Sequence, residues 1–97
     1  GFLLIKKKDS TSDFINEREF NSLGYKHIRD KKYKDALEIF KINVVLHPTS
    51  DNVYDSLAEG YLLNNDSLQA YTNFTKALDL NNRNRRAKAF VDAYSIE

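Results

Sequence analysis

The fold is decided by residues 17–50, EREFNSLGYKHIRDKKYKDALEIFKINVVLHPTS, and residues 51–84, DNVYDSLAEGYLLNNDSLQAYTNFTKALDLNNRN, which match each other at a spacing of 34 residues. The match falls on apolar and small positions, and between them the residues diverge freely. The recurring residues are Leu23 as Leu57, Ala36 as Ala70, Phe40 as Phe74 and Leu46 as Leu80, while Gly24 is answered by Ala58 and Phe20 by Tyr54. Because stacked helical units must each present the same buried face to a neighbour, this pattern predicts a helical repeat.

Start and stop signals divide the chain into five short helices. The predicted helices span residues 16–30, 33–46, 51–63, 67–80 and 85–95. Asn16 with Glu19, and Asp66 with Gln69, have the spacing at which a capping residue and the third helical residue satisfy free amide groups. Pro48 marks the end of the second helix. Because the turns are only two to five residues long, neighbouring helices are expected to be antiparallel.

The same signals predict the organisation of the chain. Residues 1–15 are interpreted as a lead-in from a preceding domain, with an apolar stretch at residues 2–5 and a polar linker after it. Residues 16–50 and 51–84 form the two repeats, and residues 85–97 form a C-terminal capping helix whose inward residues are Ala87, Phe90, Val91 and Tyr94. The predicted fold class is therefore all-α.

Composition excludes several classes of function. Fifteen basic and fourteen acidic residues give a net charge of +1, so no general attraction to nucleic acid or to a membrane surface is expected. No apolar run approaches the roughly 20 residues that a membrane helix needs. The absence of cysteine removes disulfides and thiolate metal sites, and it leaves open whether the protein works in the cytoplasm or in the periplasm.

No pattern in the chain indicates catalysis. His27 and His47 lie on different predicted elements, with no Cys, Asp or Glu at a metal-ligand spacing around them. The chain has only three glycines and no glycine-rich phosphate loop. Two basic clusters, residues 31–34 and 83–88, lie at helix junctions, where charged side chains commonly just solvate the turn. We therefore expect no enzyme activity, no cofactor, no metal and no nucleic acid partner.

The repeat resembles the tetratricopeptide family. In the first copy the family's pattern reads Phe20-x2-Leu23-Gly24-x2-His27, then Ala36-x3-Phe40 and Pro48; in the second it reads Tyr54-x2-Leu57-Ala58-x2-Tyr61, then Ala70-x3-Phe74-x2-Ala77. The chain departs from the pattern at Asn43, where a small residue is usual, and at Asn82, where the exit proline is usual. The resemblance implies an α-solenoid of two helix-turn-helix units, in which Gly24 or Ala58 lies against Ala36 or Ala70.

A narrower resemblance concerns the parent protein. Residues 21–25, 36–41 and 53–59 are similar to tetratricopeptide segments at the C-terminus of bacterial serine hydrolases of Bacteroidetes type, such as esterases and penicillin-recognising enzymes. This similarity implies that a catalytic serine would lie upstream of Gly1, and that the chain itself would do no chemistry.

The family resemblance also implies a binding groove on the first helix of each unit. Carried over by position, the partner-binding residues are Arg18, Asn21, Tyr25, Asn52, Asp55, Glu59 and Arg86. Asp51, Asp55 and Glu59 follow a four-residue spacing and form an acidic stripe on one helix, which favours a basic or amide-rich peptide. The alternative is that these residues are an ordinary solvated helix face. The lysines and asparagines of the carboxylate-clamp subtype are absent, so a chaperone tail is not expected.

These observations predict a non-catalytic protein–protein interaction module that holds a peptide or a partner domain in a concave groove, with Tyr25 as an amphipathic anchor. The alternative is a structural appendage that docks on an upstream hydrolase domain or pairs two subunits. Neither the partner nor the oligomeric state follows from the sequence.

Overall fold

The chain folds into five α-helices in a computed structural model, which describes the backbone of residues 10–96 and the side chains of residues 16–94. The helices are α1 (Ser10–Arg29), α2 (Tyr33–Leu46), α3 (Asp51–Leu63), α4 (Ser67–Leu80) and α5 (Arg85–Ile96). The described residues contain no strand. Each helix packs on the next one in the chain, and α1 also contacts α3. The fold is all-α, as predicted.

The helix bounds repeat with the sequence. Helices α2 and α4 begin at residues 33 and 67 and each has 14 residues, while α1 and α3 end at residues 29 and 63. The bounds predicted for α2, α3 and α4 are confirmed residue by residue. Residues 34 apart thus occupy the same place in two successive helix pairs, which allows the two copies to be compared position by position.

The turn inside each pair is also the same in both copies. Lys31 has φ 63° and Asn65 has φ 65°, so each adopts the left-handed conformation that commonly terminates a helix. In the first copy, the amide of the following residue, Lys32, donates to the carbonyl oxygen of His27 at 2.8 Å. In the second copy, the amide of Asp66 donates to the carbonyl oxygen of Tyr61 at 2.9 Å. This hydrogen bond satisfies a carbonyl at the end of the helix and reverses the chain into α2 or α4.

Two apolar clusters form the core. The first contains Ala36, Phe40 and Leu57, and the second contains Ala58, Ala70, Phe74, Ala77 and Ala87. Phe90 and Val91 of α5 pack against the second cluster, and the ring of Tyr94 stacks on that of Tyr71 at 4.6 Å. The inward face predicted for the last helix is therefore confirmed.

The close approach of α1 to α2 differs in one detail from the expectation. Gly24 faces the ring of Phe40, and a Cβ placed at Gly24 would lie 2.6 Å from Phe40 Cζ. The contact predicted from the family pattern was Ala36. Ala36 is fully buried in the same cluster as Phe40, whose ring atoms are the nearest to a Cβ at Gly24.

The predicted start of the first helix is wrong. Helix α1 begins at Ser10, so Asn16 lies inside the helix and is not its cap. Residues 10–15 contain neither glycine nor proline, so nothing stops the helix from extending towards the N-terminus. The lead-in assigned to residues 1–15 is accordingly helical from residue 10 onward, and the apolar stretch at residues 2–5 lies outside the described residues.

Three of the recurring leucines are less buried than the repeat predicts. Leu57 is 6% exposed, but Leu23, Leu46 and Leu80 are 41%, 36% and 38% exposed. Leu57 is covered by α2, whereas in the described part of the chain no helix precedes α1 to cover Leu23. Leu46 and Leu80 are the last residues of their helices, where fewer neighbours surround a side chain.

Candidate binding site on the odd-numbered helices

Helices α1, α3 and α5 bring five of the seven predicted site residues into one polar cluster. Asn21 and Tyr25 come from α1, Asp55 and Glu59 from α3, and Arg86 from α5. Asn21 and Asp55, and likewise Tyr25 and Glu59, lie 34 residues apart at the same repeat positions. Arg86 reaches them from α5, so its guanidinium contacts a hydroxyl 61 residues earlier in the chain. We call these five residues, together with Ser56, the three-helix cluster.

Tyr25 is the centre of the three-helix cluster. Its hydroxyl donates to Glu59 Oε1 at 2.8 Å and accepts from Arg86 Nη2 at 3.1 Å. Its ring meets that of Phe40 edge-on, with the ring centroids 5.2 Å apart. The apolar side of Tyr25 is thus fixed by the core, and its hydroxyl is held among charged groups.

Arg86 joins α5 to α3 through two carboxylates. Its Nε lies 3.1 Å from Asp55 Oδ1, and its Nη2 forms an ion pair with Glu59 Oε1. The Arg86 side chain is 51% exposed, whereas those of Asp55 and Glu59 are 11% and 33% exposed. The guanidinium of Arg86 is therefore about half exposed, whereas the carboxylate of Asp55, with which it pairs, is nearly buried.

Asn84 anchors the start of α5 to the same acids. Its Nδ2 donates to Asp51 Oδ2 at 3.0 Å and to Asp55 Oδ2 at 3.1 Å. Its Oδ1 accepts from the amide of Ala87 at 3.0 Å, which caps the helix. Asn81 adds a longer bond to Asp51 Oδ2 at 3.3 Å. The fifth helix is thus attached to α3 by an amide and a guanidinium.

This geometry changes the interpretation of the acidic stripe. Asp55 is buried and its carboxylate is occupied by Arg86 and Asn84, so it is not a free contact for a ligand. Asp51 is likewise engaged by the turn before α5. Within the three-helix cluster, the carboxylates of Asp55 and Glu59 face the guanidinium of Arg86, which leaves a net charge of −1. The negative sign predicted from the sequence remains, but it is reduced by Arg86.

The other two predicted site residues, Arg18 on α1 and Asn52 on α3, are both exposed. None of the hydrogen bonds of the three-helix cluster described above involves Asn52.

Two residues of the site were missed by the sequence analysis. Ser56 is buried at 2% exposure, and its hydroxyl donates to Asn21 Oδ1 across α1 and α3. Ser56 lies at the same repeat position as Ser22, so a comparison of the two copies could have identified it as a candidate. Asn84 could have been found as a capping residue three positions before Ala87.

The histidines play no part in this site. His27 is half-buried, and its Nδ1 lies 2.9 Å from the carbonyl oxygen of Leu23. His47 follows the last residue of α2, and its backbone amide donates a hydrogen bond to the carbonyl oxygen of Asn43 at 2.9 Å. Across residues 10–96, no three His, Cys, Asp or Glu residues are grouped so that they could hold a metal ion. Nor is any helix in that range long and apolar enough to cross a membrane.

Comparison with known proteins gives no relative from which a role could be transferred. The chain matches no protein-family model and no curated protein. The function must therefore be argued from the site itself.

Proposed function

We propose that this chain is a non-catalytic protein-interaction module of tetratricopeptide type, which binds a peptide segment or a partner domain in a groove along α1, α3 and α5. The observation that carries the proposal is the three-helix cluster, in which Tyr25, Glu59 and Arg86 from three different helices meet at one hydroxyl. Three helices fixed to one another in this way give a rigid surface, and a preformed surface loses little entropy when it binds.

The same cluster supports a basic or amide-rich ligand. Its net charge of −1 attracts cationic side chains and disfavours acidic ones. Glu59 is the carboxylate with most exposure in the cluster, and Tyr25 lies beside it as a partly apolar contact. On α5, Ala89 and Ala93 are exposed and small, so they leave room for a peptide next to Arg86.

Binding of a fluorescently labelled chain to an array of short peptides of varied charge tests this proposal. We expect binding to increase with the number of Lys, Arg, Asn and Gln residues in the peptide. Ala89→Trp fills the space beside Arg86 without removing a bond of the cluster, so it should abolish binding. Leu68→Trp is the matched control, since Leu68 is 65% exposed on α4 and outside the cluster. Binding that is equal for both variants, or that favours acidic peptides, would refute the proposed groove.

A second candidate function is structural, namely docking on an upstream serine-hydrolase-like domain or pairing of two subunits. The observation that favours it is Leu23, which is 41% exposed although its counterpart Leu57 is 6% exposed. Light scattering on this chain and on a longer chain that includes any upstream domain tests the structural function. Dimers of both chains would support pairing of subunits, and monomers of both would argue against it, whereas peptide binding in the groove is compatible with either state.

A further inference from the structure

The side of the helix stack formed by α1 and α2 presents four apolar residues and a histidine that the described elements leave half-buried or exposed. Phe20, Leu23 and His27 lie on α1 at helical spacing, and Ile39 and Ile42 lie on α2. We call these five residues the end face. Leu23 is 41% exposed and Ile42 is 48% exposed.

The contacts inside the fold establish which way these residues face. Leu37 and Val44 of α2 pack in the cluster that contains Leu57, so that side of α2 is turned towards α3. Ile39 and Ile42 lie roughly opposite on the helix, and are therefore turned away from α3. On α1, Tyr25 faces α3 and Gly24 faces α2, so Phe20 and Leu23, on the other side of the helix from Tyr25, are also turned away from α3.

The repeat shows how such a face is normally used in this molecule. The counterparts of Phe20, Leu23 and His27 are Tyr54, Leu57 and Tyr61, and Leu57 and Tyr61 pack against the cluster that includes Phe40 of α2. In the second copy the positions of Ile39 and Ile42 hold the polar residues Asn73 and Lys76. The first copy therefore carries more apolar surface on this side than its own repeat requires.

The charges beside the end face indicate what covers it. Glu19 is exposed near one end of the apolar patch, and Lys26 and Arg29 are exposed near the other end. An antiparallel copy of α1 with Leu23 near the middle places Glu19 of each chain close to Lys26 of the other. The face is thus complementary to itself, as the shared patch of a two-fold dimer must be.

We infer that the end face binds the same face of a second copy of this chain, through antiparallel packing of the two α1 helices about a two-fold axis near Leu23. Phe20, Leu23 and Ile42 form the apolar centre, and two Glu19–Lys26 pairs flank it. Because one pair of helices makes an interface at or below about 1,200 Å² in total, the dimer is expected to dissociate in the micromolar range. This inference is independent of the peptide groove, which lies on the opposite side of α1.

Sedimentation velocity of the full chain from about 1 to 500 μM tests the inference, a range chosen to bracket micromolar dissociation. Glu19→Lys and Lys26→Glu each place like charges opposite each other twice, so each is expected to weaken dimerisation by about fivefold or more. The double variant restores opposite charges and should restore the dimer. Lys88→Glu is the matched control, since Lys88 is exposed on α5 and far from the end face.

Each remaining outcome overturns the inference. A chain that is monomeric throughout the concentration range has its end face unpaired or covered by something else. If deletion of residues 1–9 then produces a dimer, the occupant in the full chain is that segment and not a second copy. A dimer that is unaffected by both single reversals, with folding verified by circular dichroism, uses another surface.

Discussion

Gly24 is the position at which the packing leaves the least room. A Cβ there would lie 2.6 Å from Phe40 Cζ and 2.7 Å from Phe40 Cδ1, much closer than van der Waals contact. Phe40 is fully buried, so its ring cannot move aside without disturbing the first apolar cluster. The repeat keeps a small residue at this position because α1 and α2 touch through it.

We predict that Gly24→Ala destabilises the protein by about 1–3 kcal/mol, since overpacking exceeds the gain of about 1 kcal/mol in helix propensity. Gly60→Ala is the matched control. Its Cβ would lie 3.1 Å from Phe40 Cδ2 and 3.4 Å from Leu37 Cδ1, so a small shift accommodates it. Urea unfolding should show a clear loss for Gly24→Ala and a change near zero for Gly60→Ala. Equal effects would mean that Phe40 does not fill this gap.

The acids of the three-helix cluster are predicted to differ in their contribution to stability. Asp55→Ala removes a nearly buried carboxylate that accepts from the Asn84 amide and forms an ion pair with Arg86 Nε, so a loss of about 1–3 kcal/mol is expected although Asn84 keeps Asp51 and Arg86 keeps Glu59. Glu59→Ala removes a more exposed carboxylate and should cost less than about 1 kcal/mol. Urea unfolding of both variants measures the difference. A larger loss for Glu59→Ala would contradict the arrangement described for Arg86.

At the scale of the elements, the turn between α1 and α2 and the turn between α3 and α4 each contain one residue with positive φ, and the backbone strain is expected to be larger in the first turn. Lys31 has φ 63° and Asn65 has φ 65°. Asn tolerates the left-handed region better than Lys does, because its short polar side chain can bond locally.

Lys31→Gly is therefore expected to stabilise the protein by about 0.5–1 kcal/mol, since glycine adopts positive φ without a steric cost. Asn65→Gly should give a smaller gain. Lys32→Gly is the control, because Lys32 has φ −97° and gains nothing from glycine. Thermal unfolding of the three variants checks the order. A loss of stability in Lys31→Gly would contradict the conformation assigned to this turn.

The helices also show where sequence reasoning succeeds. Tyr33, Asp51 and Ser67 were predicted as helix starts and are confirmed, because each follows a turn with a strong local signal. Asp66 caps α4 as predicted, accepting from the amide of Gln69 at 3.1 Å. Ser50 precedes α3 and is of a residue type that commonly caps a helix, but its hydroxyl donates to Glu17 Oε2 at 2.8 Å instead. The Ser50 hydroxyl thus bonds to a carboxylate 33 residues away rather than to a nearby amide of α3, and the spacing of residues along the chain does not reveal such a partner.

The same limit applies to the candidate site. The family resemblance named Tyr25, Asp55, Glu59 and Arg86 as groove residues, and the structure brings these four together. It did not reveal that Arg86 already pairs with both acids, because that depends on how α5 is placed against α3. Residue types fix which charges are present, whereas the packing of helices decides which of them remain available to a ligand.

At the scale of the whole molecule, the equivalent leucines of the two copies differ in how far they are covered. Leu57→Ala should cost about 2–4 kcal/mol, because Leu57 is 6% exposed and its removal leaves a cavity. Leu23→Ala should cost about 1 kcal/mol or less at concentrations where the chain is monomeric, because Leu23 is 41% exposed there. Urea unfolding at low micromolar concentration compares them. Similar losses would mean that a further element covers Leu23 within the same chain.

The central claim is that the face of α1, α3 and α5 is a groove for basic peptides, and amide chemical shift mapping with a lysine-rich peptide tests it most directly. We expect the shifts to concentrate at Tyr25, Glu59, Arg86 and Ala89, to saturate, and to disappear in Ala89→Trp. An acidic peptide of equal length should cause no shifts there. Shifts confined to the end face, or none up to millimolar peptide, would contradict the claim.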